Sequence, residues 1–240
     1  MIAGDRPRGD DARRKGLRPS TAVSADLLAD RARALALTPV SRETAARLER
    51  FIELLLEWQG RMNLIGPSTE ATIWSRHIAD SLQLISLAPE GRIWVDLGSG
   101  AGFPGLVIAC ALAGTPGAQI HLVESSTKKA GFLREVVRET GVPAIVHAER
   151  IEDFVKHAPR QIDIVTARAL APLPKLLVLA YPLLKRGATG MFPKGQDVDI
   201  ELTEAAKCWN IQPTLASSRT DPRSRIVVIR GIEPRNKASP

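Results

Sequence analysis

The chain of 240 residues has only two cysteines, Cys110 and Cys208, and it lacks long hydrophobic runs. Two cysteines cannot form a disulfide framework, and both fit apolar positions in a reducing compartment. The longest apolar run, around residues 105–114, is too short for a membrane span and fits a buried helix. The N-terminus also lacks an apolar signal core. We therefore expect a cytoplasmic protein without membrane association.

Most of the chain has no excess of charge of either sign, although the net charge is +7. Residues 25–215 carry 21 basic and 21 acidic side chains, whereas residues 1–24 have a net charge of +3 and residues 216–240 of +4. Basic ends of this kind favour a polyanion through counterion release. The alternative is a solvated tail, and residues 1–22, rich in Arg, Asp, Gly and Pro, are typical of disordered chain.

Glycine is concentrated in the stretch Asp96-Leu97-Gly98-Ser99-Gly100-Ala101-Gly102-Phe103-Pro104-Gly105, between an apolar strand and an apolar helix. Such a backbone lets a ligand lie against bare peptide, and the helix behind it directs free N–H groups at the ligand. Two interpretations stay open. Residues 100–105 satisfy the dinucleotide fingerprint G-x-G-x-x-G, with Glu124 about 20 residues further on. Read from Asp96, the stretch instead resembles the first motif of class I S-adenosylmethionine-dependent methyltransferases.

The acid before the first glycine distinguishes the two cofactors. The Asp96 carboxylate suits a ligand that carries an ammonium and a sulfonium, whereas it would repel a pyrophosphate. Glu124 ends the next apolar segment, where it can accept both ribose hydroxyls or, with Ser125 and Ser126, begin the following helix. These residues favour the methyl donor over a nicotinamide cofactor. A ligand-free turn is the remaining interpretation, but a plain turn rarely needs four glycines.

Apolar segments alternate between strand and helix from Arg92 onward. We predict strands at 92–97, 118–123, 143–147, 161–167 and 187–193 and helices at 104–114, 126–140, 172–184 and 197–207, then an antiparallel hairpin of 211–216 and 226–230. This pattern predicts an α/β fold, a doubly wound, mostly parallel sheet closed by that hairpin. Upstream, Ser41 caps a helix with Leu48, Phe51, Leu55 and Met62, and a second helix carries the stripe Ile73, Ile78, Leu82 and Ile85.

In such a sheet, ligands bind beyond the carboxyl ends of the strands. Ile151 and Glu152 follow the third strand, where they can flank an adenine or simply begin a helix. The fourth strand is followed by Ala167-Arg168-Ala169-Leu170-Ala171-Pro172. This segment lacks both the Asn/Asp-Pro-Pro-Tyr motif of amine methylation and the cysteine that attack on a pyrimidine carbon needs. The acceptor is therefore already nucleophilic. Guanine N7 fits, because it has a free lone pair and no proton to lose.

A few polar residues outside the glycine turn are candidates for the acceptor side. Arg168 can hold a phosphate or stack on a base, or it forms a surface salt bridge. His77 and Asp80 share one helix face beside an apolar stripe, where a histidine is more often structural. Lys194 ends the fifth strand and points toward the same crevice or into solvent. We name as RNA-binding candidates Asn63, Arg76, His77, Asp80, Arg150 and Lys194, with Arg168 and Lys194 as positioning candidates, and we predict no metal site.

Five groups of residues in order resemble the bacterial small-subunit rRNA guanine-N7 methyltransferases, the glucose-inhibited division protein B family. They are Asn63-Leu64 with the run Arg76-His77-Ile78-Ala79-Asp80-Ser81-Leu82, the glycine stretch 96–105, Arg150-Ile151-Glu152, Ala167-Arg168-Ala169 and Lys194-Gly195. The resemblance covers residues 41–231. It implies a class I methyltransferase that modifies one guanine in the decoding-region loop of 16S rRNA.

The resemblance also implies roles for individual residues. S-adenosylmethionine would contact Gly98, Phe103, Ile151, Glu152 and Arg168, with Glu124 and its neighbours near the ribose, which moves Arg168 from the acceptor toward the cofactor. The full set of expected cofactor-binding residues is Asp96, Gly98, Gly100, Gly102, Phe103, Glu124, Ser125, Ser126, Ile151, Glu152 and Arg168. The chain departs from the family in Phe192-Pro193 before Lys194, in Glu124 where many members have Asp, and in its long N-terminal tail.

These observations give an expected organisation and partner. We predict a disordered basic tail at 1–22, an N-terminal helical cap at 23–90, a methyltransferase domain at 91–232 and a basic C-terminal tail at 233–240. The expected partner is 16S rRNA within a small ribosomal subunit or its precursor, bound by a monomer. Two rival functions remain: an NAD-dependent oxidoreductase, which lacks a catalytic constellation here, and a non-enzymatic rRNA-binding protein that uses its basic ends.

Overall fold

The computed structural model describes residues 25–235, so the predicted tail at 1–22 and the last five residues of the predicted tail at 233–240 lie outside the described residues. The N-terminal region forms three α-helices, namely α1 Ala25–Leu37, α2 Arg42–Gln59 and α3 Asp80–Leu87. Ser41 caps α2 as predicted, with its hydroxyl accepting from the Thr44 N–H at 3.2 Å. Helix α1 was not predicted from the sequence.

Helix α2 ends at Gln59, earlier than the apolar spacing out to Met62 suggested. The Gln59 side chain folds back over the helix end. Its oxygen accepts from the Leu64 and Ile65 N–H groups at 2.9 and 3.1 Å, and its amide donates to the Ile65 carbonyl at 2.8 Å. One side chain thus satisfies three backbone groups after the helix, which lets the chain leave the helix before Gly66.

The second predicted helix is broken into three pieces. A 3-10 turn at Pro67–Thr72 and a π-helical turn at Trp74–Ala79 precede α3. Buried Asp30 on α1 stabilises the π turn, because its carboxylate accepts from the N–H groups of Trp74 and Ser75 at 2.9 and 3.1 Å. The predicted apolar stripe is nevertheless correct, since Ile73, Ile78 and Leu82 are buried and Ile85 packs against the same cluster.

The predicted sheet is confirmed, with five parallel strands in the order β3-β2-β1-β4-β5. They are β1 Ile93–Leu97, β2 Gln119–Val123, β3 Ala144–His147, β4 Ile164–Thr166 and β5 Thr189–Lys194. Between and after them run α4 Gly105–Leu112, α5 Thr127–Thr140, α6 Ile151–His157, α7 Leu173–Leu184 and α8 Val198–Ala206. All five strands end at the same edge of the sheet, where the glycine stretch follows β1.

The C-terminal hairpin is present, but one of its predicted strands is wrong. Residues 211–216 are split between two strands, β6 Trp209–Ile211 and β7 Thr214–Ser217, and β7 pairs with β8 Arg225–Ile229. Strand β8 joins the main sheet antiparallel to β5. Strand β6 pairs instead with β9 Ile232–Pro234 in a separate two-stranded sheet, so regular structure crosses the predicted boundary at residue 232.

Two apolar clusters cover the two faces of the sheet. Helices α1 to α5 share one cluster, which joins Phe51 of the cap to Phe132 of α5. Helices α6 to α8 build the other. The N-terminal cap therefore packs into the same core as the sheet. Cys110 is buried as expected, whereas Cys208 is exposed. Within residues 25–235, no helix has both the length and the apolar character needed to cross a bilayer.

Candidate active site

The glycine stretch turns sharply from β1 into α4 at the carboxyl edge of the sheet. Gly98 has a φ of +70°, a conformation that side chains disfavour, and a Cβ there would lie 2.6 Å from Leu170 Cδ1. At Gly105 a Cβ would lie 2.3 Å from Leu122 Cδ2 and 2.7 Å from Asp96 Oδ2. The first glycine lets Leu170 of the loop after β4 pack directly against the turn, and the last lets α4 begin directly against the sheet.

Asp96 lies under this turn, and its expected contact with the sulfonium stays a prediction. Its side chain is 1% exposed. One carboxylate oxygen accepts from the Gly105 N–H at 3.2 Å and the other from the Thr166 hydroxyl at 3.0 Å. Burial raises the pKa of Asp96 to about 6, although these hydrogen bonds oppose the shift. Asp96 therefore ties α4 and β4 to β1 and shapes the turn indirectly.

Glu124, directly after β2, holds the other side of the turn. Its carboxylate accepts from the Gly100 N–H at 2.9 Å and from the Ser126 N–H at 2.7 Å. Ser126 caps α5 by accepting from the Lys129 N–H, as the sequence predicted. Glu124 thus supports the capping residue of α5 and also lines a cavity, so both roles considered for it are compatible.

A first cavity of about 620 Å³ opens above these residues. The glycine turn, the end of β2 and the start of α6 form its walls. Eight of the expected cofactor-binding residues line it, namely Gly98, Gly100, Phe103, Glu124, Ser125, Ile151, Glu152 and Arg168. Asp96, Gly102 and Ser126 do not. Helix α6 does begin at Ile151, so this segment is both a helix start and a cavity wall.

A second cavity of about 700 Å³ adjoins the first on the side of the cap and the hairpin. The expected acceptor residues Arg76, His77, Asp80 and Lys194 line it. Arg150 instead lines the first cavity, and exposed Asn63 lies on the loop after α2 and lines neither. Six residues line both cavities, and they form what we call the shared wall: Gly66, His77, Arg168, Ala169, Leu170 and Ala171.

Arg168 is the most connected side chain of the shared wall. Its guanidinium contacts His77 Nδ1, lies 3.5 Å from Asp80 Oδ2 and sits 5.6 Å from the centroid of the Phe103 ring. Arg168 and Asp80 are both mostly buried, so this is no surface salt bridge. Arg168 therefore touches the glycine turn and the cap at once, which accounts for the two roles that the sequence left open for it.

His77 is held as a neutral imidazole. Burial, reinforced by the charges of Arg168 and Arg76, lowers its pKa to about 3. Because Arg168 donates to Nδ1, the ring proton lies on Nε2, which is 3.2 Å from the Thr69 hydroxyl. The ring also stacks on Phe103 at 4.8 Å between centroids. These contacts give His77 the structural role considered for it, in a position that lines both cavities.

The Lys194 ammonium neither extends into solvent nor stays unpaired in the crevice, the two orientations considered for it from the sequence. Its ammonium donates to the Ala171 carbonyl at 2.8 Å and pairs with Glu201 at 2.7 Å, and the side chain is only 10% exposed. The same Glu201 oxygen accepts from the Leu173 N–H at the start of α7. Lys194 and Glu201, which we call the loop clamp, thus fix the end of the shared wall.

Sequence reasoning missed several residues that build the second cavity. Gln83 is 3% exposed on α3, and its amide reaches Asp80 Oδ1 at 2.8 Å while its oxygen accepts from the Arg219 N–H at 2.9 Å. Thr220 donates to the same Asp80 oxygen at 3.0 Å. A polar residue between Leu82 and Leu84 was the available signal for Gln83. Glu201 carried no such signal.

Comparison with known proteins gives a consistent result. The family model described as GidB, rRNA small subunit methyltransferase G, matches residues 44–223. A protein of Bradyrhizobium sp. strain BTAi1 named ribosomal RNA small subunit methyltransferase G is 60% identical over 210 residues, covering 88% of this chain and 95% of the relative. A relative of the same name from Rhodopseudomonas palustris strain BisB18 is 52% identical, with coverage of 90% and 92%.

Solved structures support the fold alone. An O-methyltransferase from Bacillus cereus in complex with SAH has a TM-score of 0.56 at 13% identity, covering 84% of this chain and 97% of the other. The O-methyltransferase TomG from Streptomyces achromogenes in complex with SAM has a TM-score of 0.55 at 12% identity, with coverage of 85% and 96%. Both share the doubly wound sheet at a level of sequence identity that carries no information about substrate.

Proposed function

The chain belongs to the GidB family of rRNA small subunit methyltransferases, and from this premise we propose that it transfers a methyl group from S-adenosylmethionine to N7 of one guanine in 16S rRNA. One observation carries the proposal: two cavities of comparable size meet at the carboxyl edge of the sheet along a single shared wall. A donor in one and a base in the other would face each other across that wall.

The first cavity fits the methyl donor. When bound, S-adenosylmethionine supplies an electrophilic methyl group on a sulfonium. The Glu124 carboxylate lies in the wall, and each of its oxygens accepts one backbone N–H and keeps a second lone pair for a ribose hydroxyl. Ile151 at the start of α6 offers an apolar surface for the adenine, and neighbouring Glu152 offers a polar edge. Gly98 and Gly100 leave bare backbone in the cavity wall for the remainder of the ligand.

The second cavity fits a guanine that reacts through N7. Its imidazole and carboxylates are already engaged: His77 with Arg168 and Thr69, and Asp80 with Gln83, Thr220 and Arg168. A low pKa and an occupied Nδ1 make His77 a poor general base. N7 needs none, because it has no proton to lose. Catalysis then consists of aligning the N7 lone pair with the methyl group of the donor, which can lower the activation barrier by roughly 7–11 kcal/mol in favourable cases.

Residues of the shared wall hold that alignment. Arg168 fixes one end of the loop against Asp80 and Phe103, and the loop clamp fixes the other end at Ala171. Arg168 is therefore a positioning residue between donor and acceptor, and Lys194 acts through the Ala171 carbonyl. We propose this role for Lys194 in place of direct contact with RNA.

The wider setting follows from the same premise. We propose that the substrate is 16S rRNA within a small ribosomal subunit or its precursor, in the decoding-region loop, and that the protein acts as a monomer in the cytoplasm. Arg76 and His77 then lie on the acceptor side, so their replacement impairs RNA methylation more than affinity for the donor. The opposite ranking would contradict the assignment of the second cavity to the base.

Mapping of methylated nucleotides tests the function directly. 16S rRNA is isolated from cells with and without the protein, and purified protein is incubated with unmethylated small subunits, with naked 16S rRNA and with labelled S-adenosylmethionine. We expect one N7-methylguanine that depends on the protein. Label on an amine, a ribose or protein would reject the acceptor, and calorimetry that shows binding of a nicotinamide cofactor but no S-adenosylmethionine would reject the donor.

A further inference from the structure

The segment that joins β7 to β8, together with the first residue of β8, is a basic turn at the rim of the second cavity, and we call residues 218–225 the rim turn. It carries Arg219, Arg223 and Arg225 against a single acid, Asp221. Thr220, Arg225 and three other residues of the turn line the cavity. Arg219 is exposed, and the Arg223 side chain is 73% exposed. The turn thus presents guanidinium groups where a nucleic-acid strand would enter.

Buried polar contacts hold this turn in place. Gln83 on α3 accepts from the Arg219 N–H at 2.9 Å and lies 3.4 Å from the Ser218 hydroxyl, although more than 130 residues separate the two segments in sequence. Asp80 accepts from Thr220 at 3.0 Å. A solvated arginine turn needs no such attachment. The same helix that forms the acceptor side of the site therefore also fixes the backbone of the rim turn.

We propose that the rim turn binds the phosphates of single-stranded RNA on either side of the base that occupies the second cavity, and that Gln83 is its positioning residue. The inference rests on the proposed function. A base can enter the cavity only when it is splayed out of its strand, so its neighbouring phosphates must pass along the rim. Arginine suits them, because its planar fork binds phosphate oxygens in a bidentate manner.

The charge arrangement favours RNA over an acidic protein surface at this place. Arg76 of the cap lines the same cavity as Arg225 of the rim turn, so two separate segments of the chain bring cationic groups to it. A strand that delivers one base into the cavity has a phosphate on each side of that base. The Asp221 carboxylate lies 3.4 Å from Arg223 Nε in an exposed pair of the kind that is worth little and is easily exchanged for a phosphate.

The test compares two double variants that remove the same charge. Arg219→Ala with Arg223→Ala alters the rim turn, whereas Arg186→Ala with Arg230→Ala alters exposed arginines at the opposite edge of the sheet, both next to the end of the β5–β8 pairing where Gly190 faces Ile229. Methylation of unmethylated small subunits is measured over a range of salt. We expect the rim variant to raise KM for the subunit at least about tenfold, with kcat and donor affinity unchanged.

The salt dependence adds a second readout. Loss of two phosphate contacts lowers the slope of log affinity against log salt by about 1.4 for single-stranded RNA. Equal shifts in KM for the two double variants, or an unchanged slope in the rim variant, would overturn the proposal. A wild-type protein that methylates no 16S rRNA would instead overturn the proposed function, so the two failures are distinguishable.

Gln83→Leu tests the positioning role without a change of charge. We expect KM for the subunit to rise by several-fold and the salt slope to fall, while the donor affinity stays at the wild-type value. An unchanged KM in a folded Gln83→Leu protein would refute the role of Gln83. If this variant does not fold, the pair of double variants still decides whether the rim turn binds RNA.

Discussion

Arg168 joins three parts of the chain that are far apart in sequence. It contacts His77 and Asp80 in the cap, it faces the Phe103 ring in the glycine turn, and it begins the loop that forms the shared wall. Burial lowers its pKa, while the nearby Asp80 carboxylate opposes that shift. A guanidinium remains charged in this setting, so Arg168 can orient both ligands without exchanging a proton.

Substitution of Gly98 tests whether the first cavity binds the methyl donor. In Gly98→Ala the new Cβ meets Leu170 at 2.6 Å in a backbone with φ +70°, so the turn or Leu170, both of which line the first cavity, must shift. We expect donor affinity measured by calorimetry to fall at least about tenfold, equivalent to about 1.4 kcal/mol. A bulkier residue at the same position abolishes saturable binding while the fold persists.

Gly117→Ala is the matched control for this change. Gly117 has a similar φ of +77°, but no atom lies within 4 Å of the new Cβ. A Cβ at positive φ strains the backbone in both variants, which lowers the unfolding free energy by about 1–2 kcal/mol. Only Gly98→Ala should lose donor affinity. Equal donor affinities in the two variants would show that the first cavity is not the donor site.

His77 makes a prediction about pH. Its pKa is about 3 in the folded protein, against an ordinary value of 6.5. Between pH 6.5 and pH 3, His77 is therefore protonated in the unfolded chain but neutral in the folded protein. The stability that neutral His77 provides is complete above pH 6.5 and is lost as pH falls toward 3. Between pH 7.5 and pH 5 the loss amounts to about 2 kcal/mol.

His77→Gln removes this contribution. Asp96 has a raised pKa of about 6, so it favours the folded state at low pH and loses that effect as pH rises through 6. Both proteins contain Asp96, so its contribution cancels in the comparison. Urea unfolding at pH 7.5 and at pH 5 should therefore show the variant losing about 2 kcal/mol less than wild type on acidification. Parallel losses would mean that His77 is not held neutral.

The loop clamp belongs to the scale of elements, because it ties β5 and α8 to the start of α7. Glu201 is 23% exposed and Lys194 10% exposed, and no side chain from Pro172 caps α7. Glu201→Gln weakens the hold on both Lys194 and the Leu173 N–H. We expect a loss of about 1–3 kcal/mol in unfolding free energy and a fall in kcat that exceeds any change in donor affinity.

Glu204→Gln on the same helix is the control. Glu204 pairs with Lys207 at the surface, where both side chains are more than half exposed, so its loss should change stability by no more than about 0.5 kcal/mol. Lys194→Arg, which keeps the charge, should retain more activity than Lys194→Met. A kcat for Glu201→Gln equal to that of Glu204→Gln would remove the clamp from the mechanism.

Elements were predictable from sequence where local pattern decides them. The five parallel strands and the four helices predicted with them lie within about three residues of the predicted bounds, because apolar runs and turn residues mark them, whereas α6 was considered only as a helix start at Ile151. The second cap helix was not predictable as three pieces, since Asp30, more than 40 residues away, caps its π turn. The division of 211–216 between two sheets likewise depends on the distant pairing with β9.

The candidate site was likewise predictable only where it does not depend on contacts between residues distant in sequence. The glycine turn, Glu124 and Ile151 could be assigned to one cavity, because parallel strands end at a common edge. The roles of Asp96 and Lys194 could not, since they depend on which side of the turn a carboxylate enters and on Glu201 as an unseen partner. Sequence showed which residues carry charge, and only packing showed which charges were already paired.

At the scale of the whole molecule, the basic excess is concentrated at the two ends of the chain, which favours a polyanionic substrate. Residues 25–215 are balanced, and the excess of +7 lies in the two ends of the chain. One of these ends includes the rim turn at the mouth of the second cavity. The other, residues 1–24, carries six basic and three acidic side chains. A polyanion as large as a ribosomal subunit can engage both ends at once.

Removal of residues 1–22 tests the contribution of the N-terminal end. The truncated protein retains every residue that lines the two cavities, so donor affinity and kcat at saturating substrate should match the full chain. If the tail neutralises two phosphates, KM for the subunit rises and the salt slope falls by about 1.4, a change similar to that of the rim variant and additive with it. Combining the truncation with Arg219→Ala and Arg223→Ala then lowers the slope by about 2.8. An unchanged KM and slope on truncation would leave the rim turn as the basic end that carries RNA affinity.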